Sequence, residues 1–207
     1  MLWYGDKLIS PISLDLQTSP IDYLNSVFYG WQSKFSLGTS FNSTGWIFPS
    51  ATYFSIFSYI GVPSFLVVRS WYVLILLTAG ISMYSYINYL LTFHYHCVDS
   101  MHKCERVNYR LGCALVGAVG YMANPFVVMH FDNGHFLIPY AILPIQLLIV
   151  AKGLKSGSLY YAVLLAISSV LVTTNLPIVF INYIVIALFA IWYIIWFDSK
   201  ELGRKCK

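Results

Sequence analysis

Charged side chains are the scarcest class in this chain: twelve Lys or Arg and eight Asp or Glu among 207 residues, 10% in all, where a soluble domain carries about 25%. With 58% of residues hydrophobic, the surface would aggregate in water unless lipid covered it. A soluble protein is excluded. Cysteine is also sparse, and Cys97, Cys104, Cys113 and Cys206 fall in apolar stretches or basic segments, so no disulfide framework is implied. The first residues lack a charged region followed by an apolar run, so a signal peptide of the usual kind is not expected. Phosphate loops, nucleophile elbows, dinucleotide fingerprints and zinc-protease helices are absent.

What the chain has is lipid-grade sequence behind a polar, aromatic arm. Residues 1–50 mix Ser, Thr, Asn, Asp and Gly with aromatics, and Pro11, Pro20 and Pro49 forbid one continuous helix. A short helix is expected over Asp22–Tyr29, with Ser19 or Asp22 as its cap. Tyr53, Ile56, Phe57 and Ile60 follow at i, i+3, i+4, i+7, opposite Thr52, Ser55 and Ser58, an amphipathic helix for the membrane interface. The rival is a full span from Ile47 to Val68.

Five spans are expected beyond: Trp71–Phe93, Leu111–Met129, Phe136–Ala151, Leu159–Thr173 and Ile178–Phe197. Two are shorter than the ~20 residues of a straight crossing, and Pro139 and Pro144 interrupt one. Such breaks survive in lipid only where neighbouring helices or a cavity satisfy the freed carbonyls, which favours a packed bundle with a polar cleft. The expected fold is all-α, a polytopic transmembrane helix bundle (66–207) with an N-terminal outer loop and an interfacial amphipathic helix (1–65).

Nine of the twelve basic residues lie in three segments: Lys103, Arg106 and Arg110; Lys152 and Lys155; Lys200, Arg204, Lys205 and Lys207. The turns between them, Phe131–His135 and Thr174–Pro177, carry none. By the positive-inside rule the basic segments are cytoplasmic and residues 1–65 lie outside, so nucleic acid is not needed as a partner. An outer arm with no preceding signal is hard to translocate, which leads to the expectation of a natural gene beginning further upstream with one more helix. Asn42-Ser43-Thr44 is a glycosylation sequon on that outer side.

Among chemistry-bearing residues, His94, His96, Cys97, His102 and Cys104 form the densest ligand-like cluster, though their spacing matches no C-x-x-C framework and a polar loop explains them as well. Met129 to His135 sets two histidines around Asp132; a tight Asp-Asn-Gly turn is the plain reading, phosphate or metal binding the alternative. Asp6 lies among Trp3, Tyr4, Leu8 and Ile9, a setting that raises a carboxyl pKa and suits a general base, while an exposed interfacial acid is the simpler reading. Asp15 and Asp22 are weaker versions. Arg69, just before the helix expected at Trp71, either snorkels or pairs with an anion such as a lipid phosphate.

Trp3-Tyr4-Gly5-Asp6, Trp31, Gly45-Trp46-Ile47-Phe48-Pro49, Gly61-Val62-Pro63 and Arg69-Ser70-Trp71 resemble, in order and spacing, the N-terminal region of GT-C type membrane glycosyltransferases. The resemblance is nearest to the arabinofuranosyltransferase group and its archaeal relatives. Gly120 to Phe126 and Pro139 to Pro144, followed by Lys152-Gly153, resemble the family's later spans. In the family an acid in the first outer loop is the proposed base, and Asp6 is the matching position. The family pattern reads Asp-Thr-Lys where this chain has Asp6-Lys7.

The resemblance implies sugar transfer from a polyprenyl-phosphate donor to a glycan or lipid acceptor at the outer membrane face, with Asp6 as base and Asp15, Arg69, His130 and His135 as substrate-binding residues. No cofactor is required in principle, although a divalent metal is compatible. The alternatives are a small transporter or channel subunit and a non-catalytic membrane scaffold. A transporter predicts ionisable residues in mid-span, and the apolar runs carry none.

Overall fold

The computed structural model describes residues 19–22, 47–95, 103–130, 134–172 and 176–205. Among them no strand occurs. The helices are α1 (Thr52–Tyr59, entered through a π-helical turn at Ile47–Ala51), α2 (Ser64–Tyr95), α3 (Lys103–Met122), α4 (Pro125–Met129), α5 (Gly134–Ser156), α6 (Leu159–Val170) and α7 (Leu176–Lys205). Pro20–Asp22 is helical immediately after Ser19, so the turn expected from Asp22 begins earlier, with proline in the first-turn position it favours. The rest of that segment, Asn42 and the His94–Cys104 cluster lie outside the described residues or side chains.

Four stretches are long and apolar enough to cross a membrane: Ser64–Thr92, Val107–Met129, Phe136–Ser156 and Pro177–Ile195. The protein is a multi-pass helix bundle. The fifth expected span, α6, has twelve residues, about 18 Å of helix against a hydrocarbon core of about 30 Å.

Helix directions follow from side-chain pairs. A Cβ at Gly117 would run into Ile87 Cδ1, and one at Gly80 into Met122 Sδ, which sets α2 and α3 antiparallel and close, as small residues permit in membranes. Ser82 Oγ reaches the Ala141 carbonyl at 2.7 Å and Lys152 lies over the Tyr89 ring, so α2 and α5 run parallel. The start of α2, the end of α3 with α4, and the start of α5 therefore share one end of the bundle. The end of α2, the start of α3 and the end of α5 share the other.

Helix α6 packs antiparallel to α5, with Tyr161 beside Gly153 and Ser169 near Gln146. Gln146 lies twelve residues into α5, so α6 stops about 18 Å short of the end where α5 begins. There α7 starts and turns back: Asn182 meets Gln146, and Phe189 meets Tyr86 further along. Backbone that leaves helical form at such depth must be shielded by protein or line a polar cavity. Asn182 Nδ2 donates to Gln146 Oε1 at 2.7 Å with both residues buried, and Gln146 Nε2 points to Ser169 Oγ at 3.5 Å, so three helices place polar groups at this level.

The stretch from Ile47 to Val68 is not one helix. It breaks at Ile60–Pro63, where Gly61 has φ +82°, a conformation that suits glycine. The apolar stripe of α1 divides, with Tyr53 and Phe57 packed on the protein core and Ile56 and Ile60 facing outward. Phe54 is 3% exposed, while Ile56 and Ile60 are 53% and 66% exposed, because Trp71 forms a box with Tyr53, at 4.8 Å between centroids, and with Phe54, at 6.0 Å. Tyr53 Oη and Ser70 Oγ add a hydrogen bond of 2.8 Å. This joint continues into a core of Val67, Val68, Tyr72, Ile75, Leu137, Ile138 and Ile142.

Candidate functional site

The end of the bundle where α2 begins is organised by two prolines. Pro144 has no N–H to meet the carbonyl four residues back, that of Tyr140, and the Tyr121 carbonyl is left without a helical donor because α3 ends at Met122 and the chain is extended at Asn124 before Pro125 opens α4. The tyrosines repair each other. Tyr121 donates its hydroxyl to the Tyr140 carbonyl at 2.7 Å, and Tyr140 donates to the Tyr121 carbonyl at 2.7 Å. Their rings stack at 4.1 Å with 8° between planes. Helix α5 contains Pro139 and Pro144, and at Pro144 the Tyr121 hydroxyl supplies the donor that the proline withholds.

Asn124 fixes the adjoining turn. Its Oδ1 caps α4 by accepting from the Val127 N–H at 3.0 Å, with Pro125 in the first turn. Its Nδ2 donates to the Tyr121 carbonyl at 3.2 Å and to the Tyr140 hydroxyl. The cap orients Phe126, which stacks on Tyr140 at 5.1 Å and on His130 at 4.2 Å, while Phe136 meets His130 at 5.1 Å with the rings tilted by 58°. A run of aromatic faces thus extends from inside the bundle, at Tyr121, to His130 at its mouth.

His130 Nδ1 lies 3.0 Å from the Phe126 carbonyl. A carbonyl only accepts, so Nδ1 carries the proton. Nε2 is then a lone-pair acceptor in the neutral ring and a donor in the imidazolium.

Arg69 is not ahead of a helix but in the second turn of α2, which begins at Ser64 rather than Trp71. Its guanidinium carbon sits 5.4 Å from the Phe65 ring centroid, one turn back, a cation–π contact that lets a charged residue occupy the helix. His135 opens α5, and its side chain is outside the described ones. Arg69, His130 and His135 thus belong to one end of the bundle. Asp6, Asp15 and Asp132 lie outside the described residues. Among the described residues no three of His, Cys, Asp and Glu come together as a metal site.

Sequence reasoning missed the aromatic run and the Gln146–Asn182 pair. The spacing Tyr-x-x-x-Pro occurs in both stretches, Tyr121 to Pro125 and Tyr140 to Pro144, and that repetition is the signal that could have paired them. A lone Gln and a lone Asn in apolar runs mark buried polar contacts but not their partners.

Residues 5–99 match the family model for the N-terminal GT-C domain of alpha-(1->3)-arabinofuranosyltransferase. The match takes in Asp6, α1 and all of α2, including Arg69. No curated protein and no solved structure matches the chain. Over residues 5–99, therefore, this multi-pass membrane chain is similar to the GT-C type glycosyltransferases of the arabinofuranosyltransferase group.

Proposed function

We propose that the protein transfers a sugar, an arabinofuranosyl unit on the family's description, from a polyprenyl-phosphate donor to a glycan or glycolipid acceptor at the outer membrane face. The observation that carries this reading is the family match across residues 5–99. The structure supports it by gathering Arg69, His130 and His135 at one end of the bundle, beside a run of aromatic rings.

Asp6 acts as general base. The acceptor hydroxyl gives its proton to the Asp6 carboxylate while its oxygen attacks the anomeric carbon, the bond to the donor phosphate breaks with inversion, and polyprenyl phosphate leaves. Arg69 and the histidines stabilise the charge that grows on that phosphate. His130 does so only as the imidazolium, because its Nδ1–H is already committed to Phe126; as the neutral ring it accepts from a sugar hydroxyl. The aromatic faces bind apolar sugar edges or the first prenyl units. Asp15 adds a polar contact to the acceptor. A divalent ion at this end would need carboxylates, which Asp6, Asp15 and Asp132 could supply, and no step above passes through one.

The test is an assay on membranes containing the protein, supplied with polyprenyl-phosphate pentose or hexose and an arabinan or glycolipid acceptor. Transfer of the pentose, with no transfer from a nucleotide sugar, is expected. Transfer from the nucleotide sugar alone would overturn the proposal.

A further inference from the structure

The end of the bundle away from Tyr121 and Tyr140 is rich in cations that the transfer does not use, and two of them, Arg110 and Lys152, contact α2. Arg110 of α3 donates through Nη1 to Thr92 Oγ1 at 3.0 Å, and Thr92 donates to the Asn88 carbonyl at 2.6 Å. Lys152 of α5 holds Nζ 5.6 Å from the Tyr89 ring centroid. Asn88, Tyr89 and Thr92 fall on adjacent positions of one side of α2. A guanidinium and an ammonium from two helices therefore converge on the last turns of a third.

Depth says what such a pair meets. Thr92 ends the first span, Arg110 lies three residues inside the second, which starts at Val107, and Lys152 four residues inside the third, which ends at Ser156. That is about 5–6 Å of helix, close enough for long cationic side chains to reach the headgroup layer. Arginine in an apolar stretch is costly unless something pairs with it. Arg110 Nε is nonetheless buried without a hydrogen-bond partner, and so is Asn88 Oδ1. Among the described side chains the one carboxylate is Asp22, in a segment whose Pro20 carbonyl accepts from Ser55 Oγ of α1, at the opposite end. Beside Arg110, Leu111 and Leu115 are exposed and offer an apolar strip for acyl chains.

We propose that Arg110 and Lys152 form a binding site for an anionic phospholipid. The outer N–H groups of the Arg110 guanidinium and the Lys152 ammonium bind the phosphate oxygens, while the inner edge of Arg110 stays anchored on Thr92. This site is separate from the transferase reading and stands or falls without it.

Native mass spectrometry of the full chain in detergent, titrated with phosphatidylglycerol and phosphatidylcholine, tests it. Two interfacial cations at about fivefold each predict a roughly 30-fold preference for the anionic lipid. Arg110→Gln with Lys152→Gln should bring the two lipids near parity, while Arg110→Lys with Lys152→Arg should keep most of the preference and so show that charge, not folding, is read. Equal retention of both lipids by the wild-type chain, or an unchanged preference in the glutamine variant, overturns the proposal. Displacement of the lipid by millimolar inorganic phosphate would identify a soluble anion as the ligand and overturn the lipid assignment.

Discussion

Tyr121 and Tyr140 each donate a hydroxyl hydrogen bond to the other's backbone carbonyl, one carbonyl freed by Pro144 inside α5 and the other by the end of α3. The exchange joins the end of α3 to a point a quarter of the way along α5, and it sets the floor beneath Phe126 and His130.

Tyr121→Phe leaves the Tyr140 carbonyl unpaired and should destabilise the protein by about 1–3 kcal/mol. Pro144→Ala restores an N–H to that carbonyl, so the double variant should recover most of the loss. Thermal unfolding in detergent, read as a double-mutant cycle, checks this. Tyr140→Phe should cost less, because Asn124 Nδ2 also serves the Tyr121 carbonyl.

Asn182→Leu strands Gln146 Oε1 in the bundle, and Gln146→Leu strands Asn182 Nδ2. Each should cost about 1–2 kcal/mol, and the double Leu variant less than the sum, because no buried polar group is then left unmet. Unfolding midpoints of the four proteins measure the coupling.

The parts of the fold legible in the sequence were those set by hydropathy and backbone chemistry. Apolar runs marked the long helices, and Pro139 and Pro144 marked carbonyls that had to find donors. Partner choice was not legible: that Gln146 meets Asn182, 36 residues away, depends on α6 stopping short. The start of α2 was misplaced at Trp71 because Arg69 and Ser70 read as the polar edge of a span. Arg69 instead lies over Phe65 one turn back, and Ser70 bonds to the Val67 carbonyl and Tyr53. In α1 the stripe of Tyr53, Ile56, Phe57 and Ile60 was legible from its spacing, whereas the packing of Phe54 as well as Tyr53 on Trp71 was not. For the site, composition and order singled out Arg69 and the two histidines, whereas the rings that surround His130 depend on how Asn124 turns the chain.

Asn124→Ala removes the cap of α4 and a contact to Tyr140. A stability loss of about 1 kcal/mol is expected, together with a raised apparent KM for the donor as Phe126 and His130 lose their orientation. Steady-state kinetics beside an unfolding curve separates the two effects.

Topology has its own check. Single-cysteine variants keeping Cys97 or Cys104 should resist a membrane-impermeant maleimide in intact cells and react after permeabilisation. Labelling from outside would put residues 1–65 in the cytoplasm and remove Asp6 from the outer face.

The measurement that bears most directly on the proposed transfer is the rate of sugar transfer from a polyprenyl-phosphate donor by the Asp6→Asn protein. Loss of the general base predicts a fall of about 10²–10⁴-fold at wild-type expression and unchanged donor binding. Transfer at the wild-type rate would contradict it.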